Sequence, residues 1–105
     1  MGRGRRNQPR KLKVKLKAIR QQLGMTLQGM VDLLQTHAKG EFVDPSYISQ
    51  YESGKREPSL FILLAYSNIA GLSMNVLVDD RVDLPEHLPS QLVSNLIMPE
   101  RATRS

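Results

Sequence analysis

The chain has 105 residues, a formal net charge of +5, no cysteine, 40% apolar residues and only 5% aromatic residues. This length suits one small domain with tails, and a core of aliphatic side chains favours packed helices over a sheet. The lack of cysteine excludes a disulfide framework, a thiolate zinc site and a cysteine nucleophile. No apolar run approaches the roughly 18–20 residues of a membrane span, and no apolar stretch follows the basic N-terminus as in a secretory signal, so a cytoplasmic protein is expected.

Positive charge is concentrated at the start of the chain. Of the fifteen Lys and Arg residues, nine lie within residues 1–20, and the first acid is Asp32, whereas residues 79–86 are acidic. This asymmetry indicates a polyanionic partner, with a solvated basic tail as the alternative. The cations of residues 3–17 are expected to anchor phosphates or, alternatively, to form an arm that enters the minor groove.

The first predicted helix follows a basic arm. Residues 1–10 contain two glycines, a proline and four arginines but almost nothing to bury, so they are predicted to be disordered. After them, apolar residues recur at the spacing of one helical face. These residues are Leu12, Leu16, Ile19 and Leu23. Gly24 is predicted to end this helix.

Thr26 is a suitable N-cap for a second helix, which is predicted to run over about residues 27–35. The apolar face of this helix consists of Leu27, Met30, Val31 and Leu34. The periodicity weakens after residue 35. The alternative is a longer helix that continues to Ala38, with Gly40 forming the turn.

Three further helices complete the predicted domain. Asp44 and Pro45 open the third helix, of about residues 44–53, because Asp caps free amides and Pro suits the first helical position. Ser59 caps a fourth helix that Gly71 ends, and Ser73 caps a short fifth helix up to residue 78. The pattern predicts an all-α fold, a compact five-helix bundle over residues 11–80.

Residues 81–105 are predicted to form an acidic, proline-containing linker followed by a short amphipathic segment. Four apolar residues of this segment recur at helical spacing. They are Leu92, Val93, Leu96 and Ile97. The stripe allows an additional C-terminal helix that serves as a dimer seam, as a flap over the core or as the binding segment for a protein partner.

Residues 47–58 are the most informative part of the chain. They begin on a helix that exposes small polar side chains and buries Ile48 and Tyr51, and they pass through Gly54 into a basic pair. Such a helix suits the major groove of DNA, where side chains read base edges and flanking cations hold phosphates.

A wider set of positions carries a family resemblance. They are Arg20, Gly24-Met25-Thr26, Met30-Val31, Ile48-Ser49, Tyr51-Glu52-Ser53-Gly54-Lys55-Arg56-Glu57-Pro58, Ala70-Gly71-Leu72-Ser73 and Leu77. Through them the chain resembles the Cro and lambda-repressor-like (XRE) helix-turn-helix family over roughly residues 12–80. The resemblance implies a five-helix bundle that binds double-stranded DNA, usually as a homodimer, with its third helix in the major groove.

The resemblance also implies the residues that read bases. The family's base-reading positions fall on Pro45, Ser46, Ser49 and Gln50. Gln50 is the best candidate for a specific contact, since a carboxamide can pair with both N6 and N7 of adenine. Tyr47 is expected to contact DNA as well, with a ring lying on the domain surface as the alternative.

Other positions match groups that hold phosphate or support the fold. The phosphate-binding candidates are Thr26, Gln28, Ser53, Lys55 and Arg56. Arg20 and Glu52 resemble a structural pair that ties the first helix to the end of the third, so Arg20 is assigned to architecture rather than to DNA contact.

The chain departs from the family pattern at three places. Leu27 stands where many members carry a glutamine that touches phosphate. Val31 replaces the usual alanine and is expected to push the second and third helices slightly apart. Residues 35–43 form a longer turn than usual, from which Lys39 is expected to be able to reach the DNA backbone.

No catalytic, metal or cofactor site is predicted. His37 and His87 are far apart and lack clustered carboxylates, and the aspartates of residues 79–83 lack the glycine and spacing of a calcium loop. Ser49 has no base placed to activate it, so an enzyme is not expected.

The expected function is a sequence-specific DNA-binding transcriptional regulator. The alternative is an antitoxin-type module whose C-terminal segment binds a partner protein and whose DNA binding serves autoregulation. A third hypothesis is a basic peptide that binds RNA or a membrane surface and is carried on a helical bundle.

Overall fold

The computed structural model describes residues 9–90. The helices of this part of the chain are α1 (Leu12–Gln22), α2 (Leu27–His37), α3 (Pro45–Ser53), α4 (Leu60–Ala70) and α5 (Met74–Val78). No strand occurs between residues 9 and 90. The predicted all-α, five-helix fold is therefore confirmed. Most of the predicted basic arm, and the whole apolar stripe of residues 92–97, lie outside the described residues.

The starts of four helices follow from their capping residues. Thr26, Asp44, Ser59 and Ser73 each use a side-chain oxygen to accept a hydrogen bond from the backbone N–H three residues further on. These bonds satisfy amide groups that have no partner within the helix. The sequence therefore determines where α2 to α5 begin through short-range chemistry alone.

Helix α2 is longer than the preferred prediction. It continues to His37, two residues past the predicted end, so the alternative of a longer helix is correct. Ala38 follows Leu34 at helical spacing and is buried with it in the core, so the apolar face extends beyond residue 35. The turn then passes through Gly40, as that alternative required.

The five helices enclose one hydrophobic core. Helix α3 packs against α1 and α2, and α4 packs against α2 and α5. The largest fully buried side chains are Tyr66, Leu16, Ile19, Met30, Leu34, Ile48, Ile62, Leu77 and Leu88. Ile48 and Tyr51 attach the inner face of α3 to this core, which leaves the opposite face of α3 towards solvent.

Lys15 is a buried cation of α1. Its side chain is 4% exposed, and its Nζ donates to the carbonyl oxygens of Val76 at 2.7 Å, Asp79 at 2.9 Å and Val82 at 2.6 Å. These bonds join α1 to the end of α5 and to the turn that follows. Lys15 is therefore not part of the basic surface, and the expectation that it anchors phosphate is wrong.

The acidic turn after α5 caps the start of α1. Helix α1 has no side-chain cap of its own at Lys11. Instead, the Asp80 carboxylate accepts the backbone N–H groups of Arg10 and Lys11, both at 2.9 Å. These two bonds hold the pKa of Asp80 below its usual range, with a smaller contribution from Lys15. The negative charge also complements the positive end of the helix dipole.

The segment expected to be a linker contributes to the core. Leu88 is fully buried and Leu84 packs partly against the same cluster. Gly71, at the end of α4, lies directly beneath this segment. A Cβ built on Gly71 would stand 2.9 Å from the backbone nitrogen of Ser90, so only glycine allows the chain to pass so close.

Gly71→Ala is expected to destabilise the domain more than Gly24→Ala. Both glycines have positive φ, +76° and +70°, so each alanine costs about 1–2 kcal/mol of backbone strain. Only at Gly71 would the added Cβ also collide with Ser90, whereas nothing lies within 4 Å at Gly24. Urea unfolding followed by circular dichroism compares the two variants. Equal losses would contradict the packing of residues 88–90 on the end of α4.

Candidate nucleic-acid interface

The outer face of α3 carries the predicted base-reading residues. Ser46 and Ser49 are exposed, and Pro45 and Gln50 are partly exposed. Positions 46, 49 and 50 lie one turn apart, so their side chains occupy one face of the helix. The structure thus brings these residues together on the side opposite to the core.

Asp44 adds a negative charge at the start of this face. Its carboxylate accepts the backbone N–H of Tyr47 at 2.9 Å and the hydroxyl of Ser46 at 2.8 Å. These two bonds, the first being the larger influence, hold the pKa of Asp44 below its usual range. The Ser46 hydroxyl proton is therefore engaged, and Ser46 presents mainly an acceptor oxygen. The sequence identified Asp44 only as a helix cap and missed this effect on Ser46.

Tyr47 lies in a short row of aromatic rings. The ring of Phe42 meets it edge to face, with centroids 5.1 Å apart, and Tyr51 does so at 6.3 Å. The guanidinium carbon of Arg56 stands 3.7 Å from the Tyr47 ring centroid, which is a cation–π contact. The ring of Tyr47 therefore supports a cation at the edge of the outer face.

Arg56 also contacts Gln50. The Arg56 Nε donates to the Gln50 Oε1 at 3.0 Å. The backbone N–H groups of Lys55 and Arg56 both donate to the Gln50 carbonyl oxygen, at 2.9 and 3.2 Å, because Gly54 adopts a left-handed conformation and turns the chain back. We refer to Tyr47, Gln50 and Arg56 as the Arg56 clamp. No sequence pattern indicated this arrangement.

The predicted phosphate-binding residues occupy different environments. Lys55 is exposed. Thr26 is exposed at the start of α2, where its oxygen accepts the Gly29 N–H at 3.0 Å. Gln28 donates through Nε2 to the Asp32 carboxylate at 3.0 Å, and Ser53 donates to the Gln50 carbonyl oxygen at 3.2 Å.

A cationic hollow adjoins the end of α3. It encloses about 200 Å³ between the start of α1 and the turn after α3. Its lining residues are Pro9, Arg10, Leu12, Lys13, Tyr51, Gly54, Arg56 and Pro58. Three cations, Arg10, Lys13 and Arg56, thus surround one space beside the left-handed turn. The sequence placed Lys13 in a basic region but did not place it beside α3.

Arg20 and Glu52 form a bidentate ion pair. Arg20 Nε and Nη2 donate to the two carboxylate oxygens at 2.7 and 3.0 Å, and Nη1 donates to the Met25 carbonyl oxygen at 3.0 Å. The two side chains are only 17% and 7% exposed. The bond with Glu52 is the main reason that the pKa of Arg20 is raised. This pair joins α1, the start of α2 and the end of α3.

The family departures have local consequences. Leu27 packs against the core. It therefore does not take over the phosphate contact that many family members make through a glutamine at this position. Val31 is also buried. In the long turn between α2 and α3, Glu41 accepts the hydroxyl of Ser59 at 2.7 Å, which ties the turn to the start of α4. Lys39 is exposed on this turn, and its contact with DNA stays a prediction.

A comparison with known protein families shows the family to which the chain belongs. A family model described as helix-turn-helix matches residues 16–77, which is more than half of the chain. The protein belongs to this Cro/C1-type (XRE) helix-turn-helix family, whose members are DNA-binding regulators that bind double-stranded DNA. No match was found among curated proteins or among solved structures.

Between residues 9 and 90, every helix is too short or too polar to cross a bilayer.

Proposed function

We propose that the protein is a sequence-specific transcriptional regulator that inserts α3 into the major groove of DNA. The observation that carries this proposal is the two-sided character of α3. Ile48 and Tyr51 fix its inner face, while Ser49 and Gln50 stand on a polar outer face. A rigidly held helix with small polar side chains on its outer face can reach base edges, and it places no large apolar side chain in the groove.

Cations near the end of α3 and uncharged polar side chains at the start of α2 serve as phosphate anchors in this proposal. Lys55 lies after α3, and Lys13 and Arg10 line the hollow beside it. Thr26 and Gln28, at the start of α2, act at the other side. Each phosphate that a cation neutralises releases counterions, so binding weakens as salt rises. These contacts set the position of the protein, whereas α3 sets the sequence.

Pairing of two copies on a two-fold site completes the proposal. One such domain reads few bases, and each good bidentate contact gives only about 1–3 kcal/mol of discrimination. A homodimer would double the number of bases read. The proposed seam, residues 92–97, lies outside the described residues. We place the protein in the cytoplasm, together with its DNA.

Gln50→Ala and Lys55→Ala are expected to fail in different ways. Loss of Gln50 should remove base preference at one position of the site, because a base-edge contact disappears. Loss of Lys55 should weaken binding to all sequences alike and reduce the slope of log K against log salt by about 0.9. Selection of sites from random duplex DNA, followed by affinity measurements at several salt concentrations, tests both. An unchanged motif with Gln50→Ala would refute base reading by α3.

The antitoxin-type alternative concerns a protein partner. Its binding segment was predicted in residues 81–105, most of which lie outside the described part. One observation favours some protein contact: the large apolar side chains Phe42, Leu60 and Phe61 are between 61% and 66% exposed. Co-purification from the native host, compared between the wild type and Phe61→Ser, would detect such a partner.

A further inference from the structure

The orientation of the Gln50 carboxamide is determined by its neighbour. Arg56 Nε always carries a hydrogen and has no lone pair to offer, so the Gln50 atom that faces it at 3.0 Å must be the oxygen. The carboxamide is planar, and Nε2 therefore lies on the side away from Arg56. Free rotation, which would let a glutamine exchange its donor and acceptor ends, is thereby restricted.

The Arg56 clamp is held from several directions. The guanidinium rests on the Tyr47 ring at 3.7 Å, and that ring is itself supported by Phe42 at 5.1 Å. The backbone N–H of Arg56 is bonded to the carbonyl oxygen of Gln50. The side chain of Arg56 thus reaches Gln50 from a fixed backbone position and against a fixed ring.

A clamped Gln50 has a different preference from a free one. To pair with adenine through N6 and N7, a glutamine needs Oε1 as an acceptor and Nε2 as a donor. Here one lone pair of Oε1 already accepts a charged donor, and the positive charge of Arg56 repels the N6 amino group that would have to approach the second lone pair. Guanine presents two acceptors, N7 and O6, and no donor at these positions, so it matches the Nε2 amino group, which only donates and carries two hydrogens.

We infer that the Arg56 clamp makes Gln50 a reader of guanine rather than of adenine. This inference rests on the proposed insertion of α3 into the major groove. Arg56 is then a positioning residue that acts through Gln50, in addition to any phosphate contact of its Nη groups. The ligand class is a duplex site with a G·C pair opposite Gln50.

The test begins with sites selected by the wild type from random duplex DNA. The base pair read by Gln50 is the position whose preference disappears in Gln50→Ala. Affinity is then measured for two duplexes that differ only there, G·C or A·T, with the wild type, Arg56→Met, Tyr47→Leu and Lys55→Met. The Lys55 variant is the matched control, because it removes a neighbouring cation for which the structure gives no bond to the Gln50 carboxamide.

The wild type is expected to prefer G·C by about tenfold, within the usual range for one bidentate contact. Arg56→Met should abolish or reverse this preference, and Tyr47→Leu should reduce it. Lys55→Met should weaken both duplexes by the same factor. If Arg56→Met instead behaves like Lys55→Met, or if the wild type prefers A·T, the inference is overturned while base reading by α3 stands. If Gln50→Ala alters no position, both proposals fail.

A measurement on the free protein guards against variants that fold poorly. In NMR spectra of the wild type, the Arg56 Nε–H should be protected from exchange and close to the Gln50 side chain. Gln50→Ala should speed the exchange of the Arg56 Nε–H, whereas the chemical shifts of backbone amides elsewhere should not change. A rapidly exchanging Arg56 Nε–H in the wild type would contradict the clamp directly.

Discussion

Replacing Glu52 with alanine is expected to lower the free energy of unfolding by about 3 kcal/mol. The reason is that Arg20 would keep its charge in a site where it is only 17% exposed, with its bidentate partner gone. Breaking a buried pair by removing one member costs about 3–5 kcal/mol, and the partial exposure of Arg20 places this case at the lower end. Chemical denaturation measures the change.

The same chain offers a control for this prediction. Arg81 pairs with Asp79 at 2.9 Å, but the Arg81 side chain is 89% exposed. Arg81→Ala should therefore have little effect on the free energy of unfolding, because water screens an exposed ion pair. The double variant Arg20→Met/Glu52→Leu should recover part of the loss, because no charge is left unpaired. Similar losses in Glu52→Ala and Arg81→Ala would show that the pair does not join the helices.

Replacing Lys15 with methionine is expected to cost about 2–4 kcal/mol. Methionine fills a similar volume but leaves the carbonyl oxygens of Val76, Asp79 and Val82 without their shared donor. A buried acceptor that loses its partner costs about 1–3 kcal/mol, and water entering the opened site offsets part of the sum. Thermal unfolding and urea unfolding both report the loss.

Lys17 is the matched control for Lys15. It lies on the same helix two residues later and is exposed, so Lys17→Met should change stability by less than about 0.5 kcal/mol. Hydrogen exchange in α5 should accelerate with Lys15→Met, since the ammonium joins the end of that helix to α1. Equal effects of the two substitutions would contradict the buried position of Lys15.

Local chemistry made much of the fold predictable. The caps at Thr26, Asp44, Ser59 and Ser73 determine where four helices begin, since each bond spans only three residues. Apolar spacing likewise predicted the inner faces of α1 and α3. The end of α2 was harder to predict from the sequence, because Ala38 is a small residue and its burial depends on the helices that pack around it.

Contacts between residues that are distant in the chain could not be predicted from the sequence. Lys15 stands next to Leu16 on the inward side of α1, but only the carbonyl groups at the end of α5 explain why a charge can lie there. The Arg56 clamp also depends on tertiary structure, since the turn at Gly54 must bring residue 56 back over α3. The family resemblance indicated Gln50 as a base reader, whereas its orientation came from the geometry of Arg56.

The ion pair of Arg20 and Glu52 affects how the protein would associate with a DNA duplex. It joins the start of α2 and the end of α3 through α1, so the groups of these two helices that are proposed to face DNA keep fixed separations in the free protein. Association then proceeds as the docking of a preformed shape, with ordering confined to a few side chains. The heat-capacity change of such an encounter reflects surface dehydration and contains no contribution from coupled folding of these helices.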